Sequence, residues 1–289
     1  MSDLRELGIA YEENIPMSAK TTFKIGGAAD FVLLPATKEQ AADCLRACEE
    51  APLILGNGSN LLVKDSGLAQ PVISTEKLQS ISLEGERILC GAGIKLSEVC
   101  MFAQKNSLTG LEFAYGIPGS AGGAAFMNAG AYGGEMKDVL QEIEYVDSRG
   151  ELRIISVWDA GLGYRRSIFM ETGGIITGLT LRLSPGDPDE IKAKMQEIMQ
   201  KRRDKQPLEY PSAGSVFKRP EGHFAGALIQ QCGLKGKSVG GAQVSEKHAG
   251  FIVNTGGAKA ADVRALIALV QAVVEQETGV PLVPELKFV

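Results

Sequence analysis

Residues 110–134 read GLEFAYGIPGSAGGAAFMNAGAYGG, and this stretch decides the fold. From Gly110 to Gly134 it holds eight glycines and one proline, and its only charge is Glu112. A surface loop would carry Lys, Asp and Ser, and a core helix would avoid so much glycine. Glycine at this density frees the backbone and lets a large group lie against bare amides. Ala124, Ala125, Phe126 and Met127 are apolar, so the stretch belongs in the interior. It predicts a packed cradle for a ligand or cofactor. The competing reading is a set of tight turns inside a β-rich domain.

A second glycine loop lies upstream. Pro52–Leu55 reads as a short strand running into Gly56, Asn57, Gly58, Ser59 and Asn60, and Leu61–Lys64 is apolar again. Amides in such a loop can converge on a phosphate oxygen. Alone, Gly56–Asn60 reads equally as an ordinary β-turn. A strand rather than a helix follows it, which argues against a dinucleotide-binding fingerprint, and Gly116, Gly119, Gly122 and Gly123 do not give that spacing either. Gly233–Ser238 (GLKGKS) would need glycine at position 231 to form a P-loop, and Gln231 stands there. Two cradles without these patterns point to an extended cofactor containing a pyrophosphate and held by main-chain amides.

Around the cradles the pattern is α+β. A helix is expected over Lys38–Glu50, short strands over Pro71–Ser74, Gln79–Leu83 and Arg87–Gly91, and a three-turn helix through Leu96, Val99, Cys100 and Ala103. Glu142–Asp147 and Leu152–Ser156 read as a hairpin, and Gly174–Leu183 as a strand. Asp187 before Pro188 has the form of an N-cap followed by proline at the first helical position. The charged helix Asp189–Asp204 then reads as a connector to a second domain. There a helix over Phe224–Cys232 and a strand over Gly250–Asn254 precede a long helix, Ala260–Glu277. Its apolar face is Val263, Leu266, Ile267, Val270, Val273 and Val274. A terminal strand, Leu282–Val289, closes the chain.

Composition bounds the function. The 289 residues suffice for two domains, and the net charge of −5 provides no basic field for nucleic acid or anionic lipid. The start, MSDLRELGIAYEEN, lacks the apolar run of a signal peptide, and no apolar segment is long enough to span a bilayer. A soluble, intracellular protein is expected. Five cysteines without CxxC pairs suit reduced, buried thiols, and His223 and His248 are too few for a histidine metal centre.

Three places offer chemistry. Tyr164-Arg165-Arg166-Ser167 sets two guanidinium groups side by side, suited to a carboxylate or equally to a solvated surface pair. Ser215, in Ser212–Lys218, follows a glycine and has Lys218 and Arg219 nearby, but no elbow motif or histidine makes it a triad nucleophile. Glu285 sits between Pro284 and Leu286; buried, it must be paired or functional, and it can equally face solvent. These residues define no reaction by themselves.

Taken in order, TTFKIGG, GNGSNLLV, GIPGSAGGAAFMNAGAYGGE, GYRRSIF, PSAGSVFK, AGFIVN and PELKF resemble the UDP-N-acetylenolpyruvoylglucosamine reductase family, from about Lys20 to the C-terminus. The glycine motifs are shared with a broader class of FAD-binding domains; YRxS, AGSxFK and the terminal PE–F pattern are more specific. The resemblance implies an α+β fold with a two-part FAD-binding region of the vanillyl-alcohol-oxidase type over residues 1–188, its internal boundary near 76. A substrate domain over 189–289 would follow, its last strand able to pack on the first domain. It implies non-covalent FAD held by Thr22, Gly56–Asn60, Gly116, Ile117, Pro118, Gly119, Ser120, Gly122 and Gly123. NADPH would be the electron donor and UDP-N-acetylglucosamine enolpyruvate the substrate, in the cytoplasm, for peptidoglycan precursor synthesis.

By the same resemblance Arg165 contacts the enolpyruvyl carboxylate, Ser215 protonates C2, and Glu285 is the active-site acid. Tyr164, Lys218, Arg219 and Lys235 would meet the rest of the substrate, the last three as contacts to its diphosphate. The family has a longer subgroup with a tyrosine loop that closes over the substrate. The span from Tyr164 to Ser184 has no room for it, so the chain resembles the shorter subgroup. Position 219 is Arg where some members have Asn. Other readings are a different flavin oxidoreductase on the same fold and a flavin- or nucleotide-binding protein without catalysis.

Overall fold

A computed structural model describes Arg5 and residues 8–289. Of the opening stretch read as lacking a leader, residues 1–4, 6 and 7 lie outside those described. The chain forms two compact units, one of Met1–Glu13, Phe31–Asn57 and Gln70–Lys201, the other of Asn14–Asp30, Gly58–Ala69 and Arg202–Val289.

The first unit is built on a five-stranded antiparallel sheet. Its order is Leu152–Ser156, Leu140–Val146, Ile175–Arg182, Arg87–Gly91, Ile81–Glu84. Seven of the eight residues of Ile175–Arg182 are buried, as a central strand covered on both faces requires. The helix Leu96–Lys105 and the short helix Ala121–Phe126 join the same core, with Ile88, Leu96, Met136, Ile143 and Leu181 at its centre. Residues 31–33, Val72–Ser74 and Leu53–Leu55 pair in parallel beside the helix Lys38–Ala47. Thr37 caps that helix by accepting from the Gln40 N–H at 3.2 Å. Its Ala41, Ala42 and Cys44 pack on Phe31, Leu33, Ile73 and Val146. Burial pushes the Cys44 and Cys90 thiols up to about 12. Cys48 and Cys232 are only half-buried, unlike the wholly buried set expected.

The second unit carries a four-stranded antiparallel sheet, ordered Ser212–Ser215, Phe251–Asn254, Ala242–Val244, Ser238–Val239. The helix Ala260–Thr278 buries Val263, Leu266, Ile267, Val270 and Val274 against Leu228, Ile229 and Ile252. Phe23, Ile25 and Leu62 complete that core. These three come from far upstream in sequence, so the compact units do not divide at 188 and 189. Their later division falls inside the helix Pro188–Lys205, which Asp187 caps as expected through the Asp189 and Glu190 N–H groups.

The terminal segment differs from the expected strand. Lys287–Phe288 pairs in parallel with Leu61–Leu62, and Pro284 forms an isolated bridge with Phe217. Pro284 has no N–H to donate, and the Glu285 N–H donates instead to the Val216 carbonyl at 2.7 Å.

The long helix receives its N-terminal partner from elsewhere in the chain. Asp65 accepts from the Ala260 and Ala261 N–H groups at 2.8 and 3.1 Å, satisfying two donors that helix geometry leaves open. Asp65→Ala is expected to lower stability by about 1–2 kcal/mol, and Asp65→Asn by less, in denaturant titrations of the whole chain. An unchanged midpoint for Asp65→Ala would remove this contact from the account of the helix.

Candidate functional site

Both glycine loops contribute to one cradle in the first unit. The loop ahead of Ala121–Phe126 is fixed by main-chain bonds: Leu96 N–H to Gly119 O at 3.0 Å, Ala121 N–H to Ile94 O at 2.8 Å, and Gly122 N–H to Ala92 O at 2.9 Å. Ser120 caps the short helix by accepting from the Gly123 N–H at 3.2 Å. A Cβ on Gly122 would stand 2.6 Å from the Ala92 Cβ, so only glycine lets the helix lie this close. Across the cradle, a Cβ on Gly56 would stand 2.7 Å from Ser120 Oγ and 4.0 Å from Gly123 Cα. Among the described residues, the amides of Gly56, Asn57, Gly119 and Ser120 have no protein acceptor. Unpartnered amides from two facing glycine loops suit the oxygens of a pyrophosphate. The residues present therefore fit the cofactor class that the sequence suggested.

Gly58 and Asn60 of the upstream loop also make structural ties. Gly58, at φ +60°, is pressed against the Lys20 carbonyl, and its own carbonyl accepts from the Thr22 N–H at 3.2 Å. Thr22 Oγ1 donates to Ser212 O at 2.8 Å, and Asn60 Nδ2 to Glu285 O at 3.2 Å. The side chains of Thr22 and Asn60 thus brace the segments that carry Ser215 and Glu285. Sequence reading missed this, because the partners lie 190 and 225 residues away.

In the second unit, Ser215 ends the strand Ser212–Ser215 just after Gly214, whose φ is +76°. The pairing with Phe251–Asn254 shifts register between Ser212 and Ser215, and such bulges re-aim a side chain. Ser215 is exposed. The chain beyond it runs alongside the terminal segment: Glu285 N–H to Val216 O, Lys218 N–H to Val283 O at 2.9 Å, and a bridge between Phe217 and Pro284. Ser215 and the half-buried Glu285 are therefore held on adjacent strands of chain.

The basic residues of this unit are separate groups. Arg219 lies 4.7 Å over the Phe224 ring, Lys218 is half-buried, and Lys235 is exposed. His248 accepts from the Gly250 N–H through Nδ1 at 3.1 Å, and burial holds it below the usual histidine range, with the Lys235 charge acting in the same sense. Among the described residues, no cluster of His, Cys, Asp and Glu could hold a metal ion, and no helix is long and apolar enough to cross a membrane.

Arg165 belongs to the first unit. It occupies a tight turn closed by Gly163 N–H to Arg166 O at 3.0 Å and Arg166 N–H to Gly163 O at 3.2 Å. Its guanidinium lies 5.2 Å over the exposed Tyr164 ring. Arg166 instead forms an exposed ion pair with Glu171 at 2.9 Å. The two arginines are not an equivalent surface pair.

Comparison with known proteins accounts for both units. The FAD binding domain family matches residues 29–156, and the family of UDP-N-acetylenolpyruvoylglucosamine reductase C-terminal domains matches residues 206–289. UDP-N-acetylenolpyruvoylglucosamine reductase of Geobacillus thermodenitrificans is 49% identical over 98% of this chain and 95% of its own. The enzyme of that name from Caldanaerobacter subterraneus is 47% identical over 96% of this chain and 92% of its own. The crystal structure of UDP-N-acetylenolpyruvylglucosamine reductase from Thermus caldophilus superposes with a TM-score of 0.84 at 37% identity. That match covers 97% of this chain and 98% of the Thermus chain. A variant of berberine bridge enzyme shares the fold alone, at TM-score 0.51 and 16% identity over 65% of this chain and 43% of its own. With identity near one half along almost its whole length, the chain belongs to the UDP-N-acetylenolpyruvoylglucosamine reductase family of FAD-binding oxidoreductases.

Proposed function

We propose that this protein reduces the enolpyruvyl group of UDP-N-acetylglucosamine enolpyruvate to give UDP-N-acetylmuramate, with NADPH as electron donor, in the cytoplasm. Family membership supports the substrate. The pairing of residues 215–218 with 283–286 through Glu285 N–H and Val216 O carries the chemical reading, because it holds a hydroxyl and a carboxyl on one rigid seam. FAD is assigned to the region 1–188 and substrate to 189–289, and the two family matches lie inside those bounds.

Bound FAD supplies hydride transfer, from NADPH to C3 of the enolpyruvyl group. Gly56, Asn57, Gly119 and Ser120 would hold its pyrophosphate through their open amides, with Ile117, Pro118 and Gly123 beside them. Hydride addition at C3 moves the π pair toward C2 and the carboxylate. Arg165, stacked on Tyr164, is the group we assign to that carboxylate, where a planar guanidinium counters the developing charge. Ser215 donates the proton to C2, and Glu285 completes the hydrogen-bonding set around it. A serine hydroxyl is a weak acid, so it serves through proximity to a strongly basic carbon centre. Lys218, Arg219 and Lys235 are assigned to the substrate diphosphate.

The purified protein is expected to be yellow. Gly122→Ala must push the short helix off Ala92 and is expected to reduce retained FAD, read as flavin absorbance after gel filtration. Full retention would show that the close approach at Ala92 does not shape the cradle.

Anaerobic mixing separates the two half-reactions. UDP-N-acetylglucosamine enolpyruvate is expected to reoxidise the NADPH-reduced protein, and failure to do so would sink the proposed function. Ser215→Ala is expected to keep reduction by NADPH and to slow reoxidation by about 10²–10⁴-fold, the usual worth of a general acid. Arg165→Ala should impair the same step. A wild-type rate in either variant would remove that residue from the mechanism.

A further inference from the structure

We propose that Asn128 and Ser167 are positioning residues that hold Arg165 in its working orientation, tying the arginine turn to the end of the glycine helix. The inference rests on the carboxylate-binding role proposed for Arg165.

Asn128 is fully buried and takes a φ of +41°, a conformation that asparagine tolerates better than most residues. Its side chain makes three hydrogen bonds. Nδ2 donates to Glu135 Oε2 at 2.7 Å and to Gly163 O at 3.0 Å, and Oδ1 accepts from the Lys137 N–H at 2.9 Å. These partners fix the amide's orientation, since the carboxylate and carbonyl only accept and the N–H only donates. Gly163 O is the carbonyl that also closes the Arg165 turn by accepting from Arg166 N–H.

Ser167 ties the other side of the turn. It too is fully buried, and its hydroxyl donates to Phe126 O at 2.7 Å. Phe126 is the last residue of Ala121–Phe126, and Asn128 stands two residues beyond it. Both flanks of the turn are therefore fastened to one corner of the cradle. The fastening has a physical purpose. Arg165 itself sits at φ +52°, which a side-chain-bearing residue holds only when its surroundings impose it. The two ties add to the turn's own Gly163–Arg166 hydrogen bonds in opposing its relaxation, and the guanidinium moves with the turn.

The test uses full-length holoenzyme carrying Asn128→Asp or Ser167→Ala, with Ser167→Thr as the conservative control. Asn128→Asp keeps size but sets a carboxylate oxygen against Glu135 and Gly163 O. Amide hydrogen exchange at Gly163 and Arg166, measured without substrate, should speed up in Asn128→Asp and Ser167→Ala and recover in Ser167→Thr. Reoxidation by UDP-N-acetylglucosamine enolpyruvate should slow by about 10²-fold in Asn128→Asp, the scale of an ångström-size misplacement. Reduction by NADPH should change by less than about twofold, and neither substitution should add to the loss in an Arg165→Ala background. Equal slowing of both half-reactions, unchanged exchange, or losses that multiply with Arg165→Ala would overturn the proposal. If Asn128→Asp does not fold or retain flavin, the Ser167→Ala and Ser167→Thr pair decides on the same readouts. The underlying reading fails separately: Arg165→Ala reoxidising at the wild-type rate would overturn the role of Arg165. A slow Arg165→Ala beside normal Asn128→Asp and Ser167→Ala would overturn only the positioning.

Discussion

The cradle depends on a relay of main-chain hydrogen bonds centred on Ala92. Thr177 is an extra residue in the central strand: Glu144 pairs with Gly178 and Tyr145 with Ile176, leaving Thr177 without a partner across the ladder. Its carbonyl turns instead to the Ala92 N–H at 3.0 Å, and the Ala92 carbonyl accepts from Gly122 N–H. The ladder with Arg87–Gly91 thus continues to Ala92, and Ala92 fixes the glycine helix at a distance that excludes a Cβ on Gly122. A sheet core with continuous burial from Ile175 to Leu181 is a rigid reference, because close packing on both faces of the strand opposes displacement. The open amides at Gly119 and Ser120 are placed by that reference.

Much of this was legible in the sequence, for reasons that differ by element. The long helix declares itself through Val263, Leu266, Ile267, Val270 and Val274, whose spacing follows the helical period, and Gly279 ends it at φ +70°. The Leu140–Val146 and Leu152–Ser156 hairpin was visible because a turn and two apolar runs are local. What stayed hidden is non-local. Asp65 caps a helix 195 residues away, and nothing in its neighbourhood marks it. Phe23 and Leu62 join the second core although they precede most of the first unit in sequence. Apolar character shows that a residue is buried, but not in which core.

The GNGSN motif shows the same limit within five residues. Gly56 faces Ser120, and its glycine leaves room above open amides. Gly58 is glycine because another main chain crosses against it at Lys20. Asn60 spends its side chain on the Glu285 carbonyl and its own carbonyl on the Lys287 N–H. The resemblance marks all five positions as cofactor contacts, and Gly56, Gly58 and Asn60 also meet three different structural demands. Only the backbone partners separate them.

The proposed reaction takes a serine as its acid, which sets particular demands on the second unit. His248 is committed through Nδ1 to the Gly250 N–H, and burial lowers its pKa from the usual histidine value. Histidine is the usual general acid near neutral pH, and His248 is spent on main-chain structure. A serine in its place needs no tuned titration. It needs a short path to the reacting carbon, a negative charge developing there, and access to water from which to regain its proton. On the proposed mechanism, the exposed end of the Ser212–Ser215 strand, fastened to Glu285 through Val216, would supply the access to water. The arginine held at Tyr164 would answer the electrostatic need. If Arg165 has the role proposed for it, the polar network around Asn128 would matter for rate, because an arginine at positive φ would oppose that charge only while its turn is held closed.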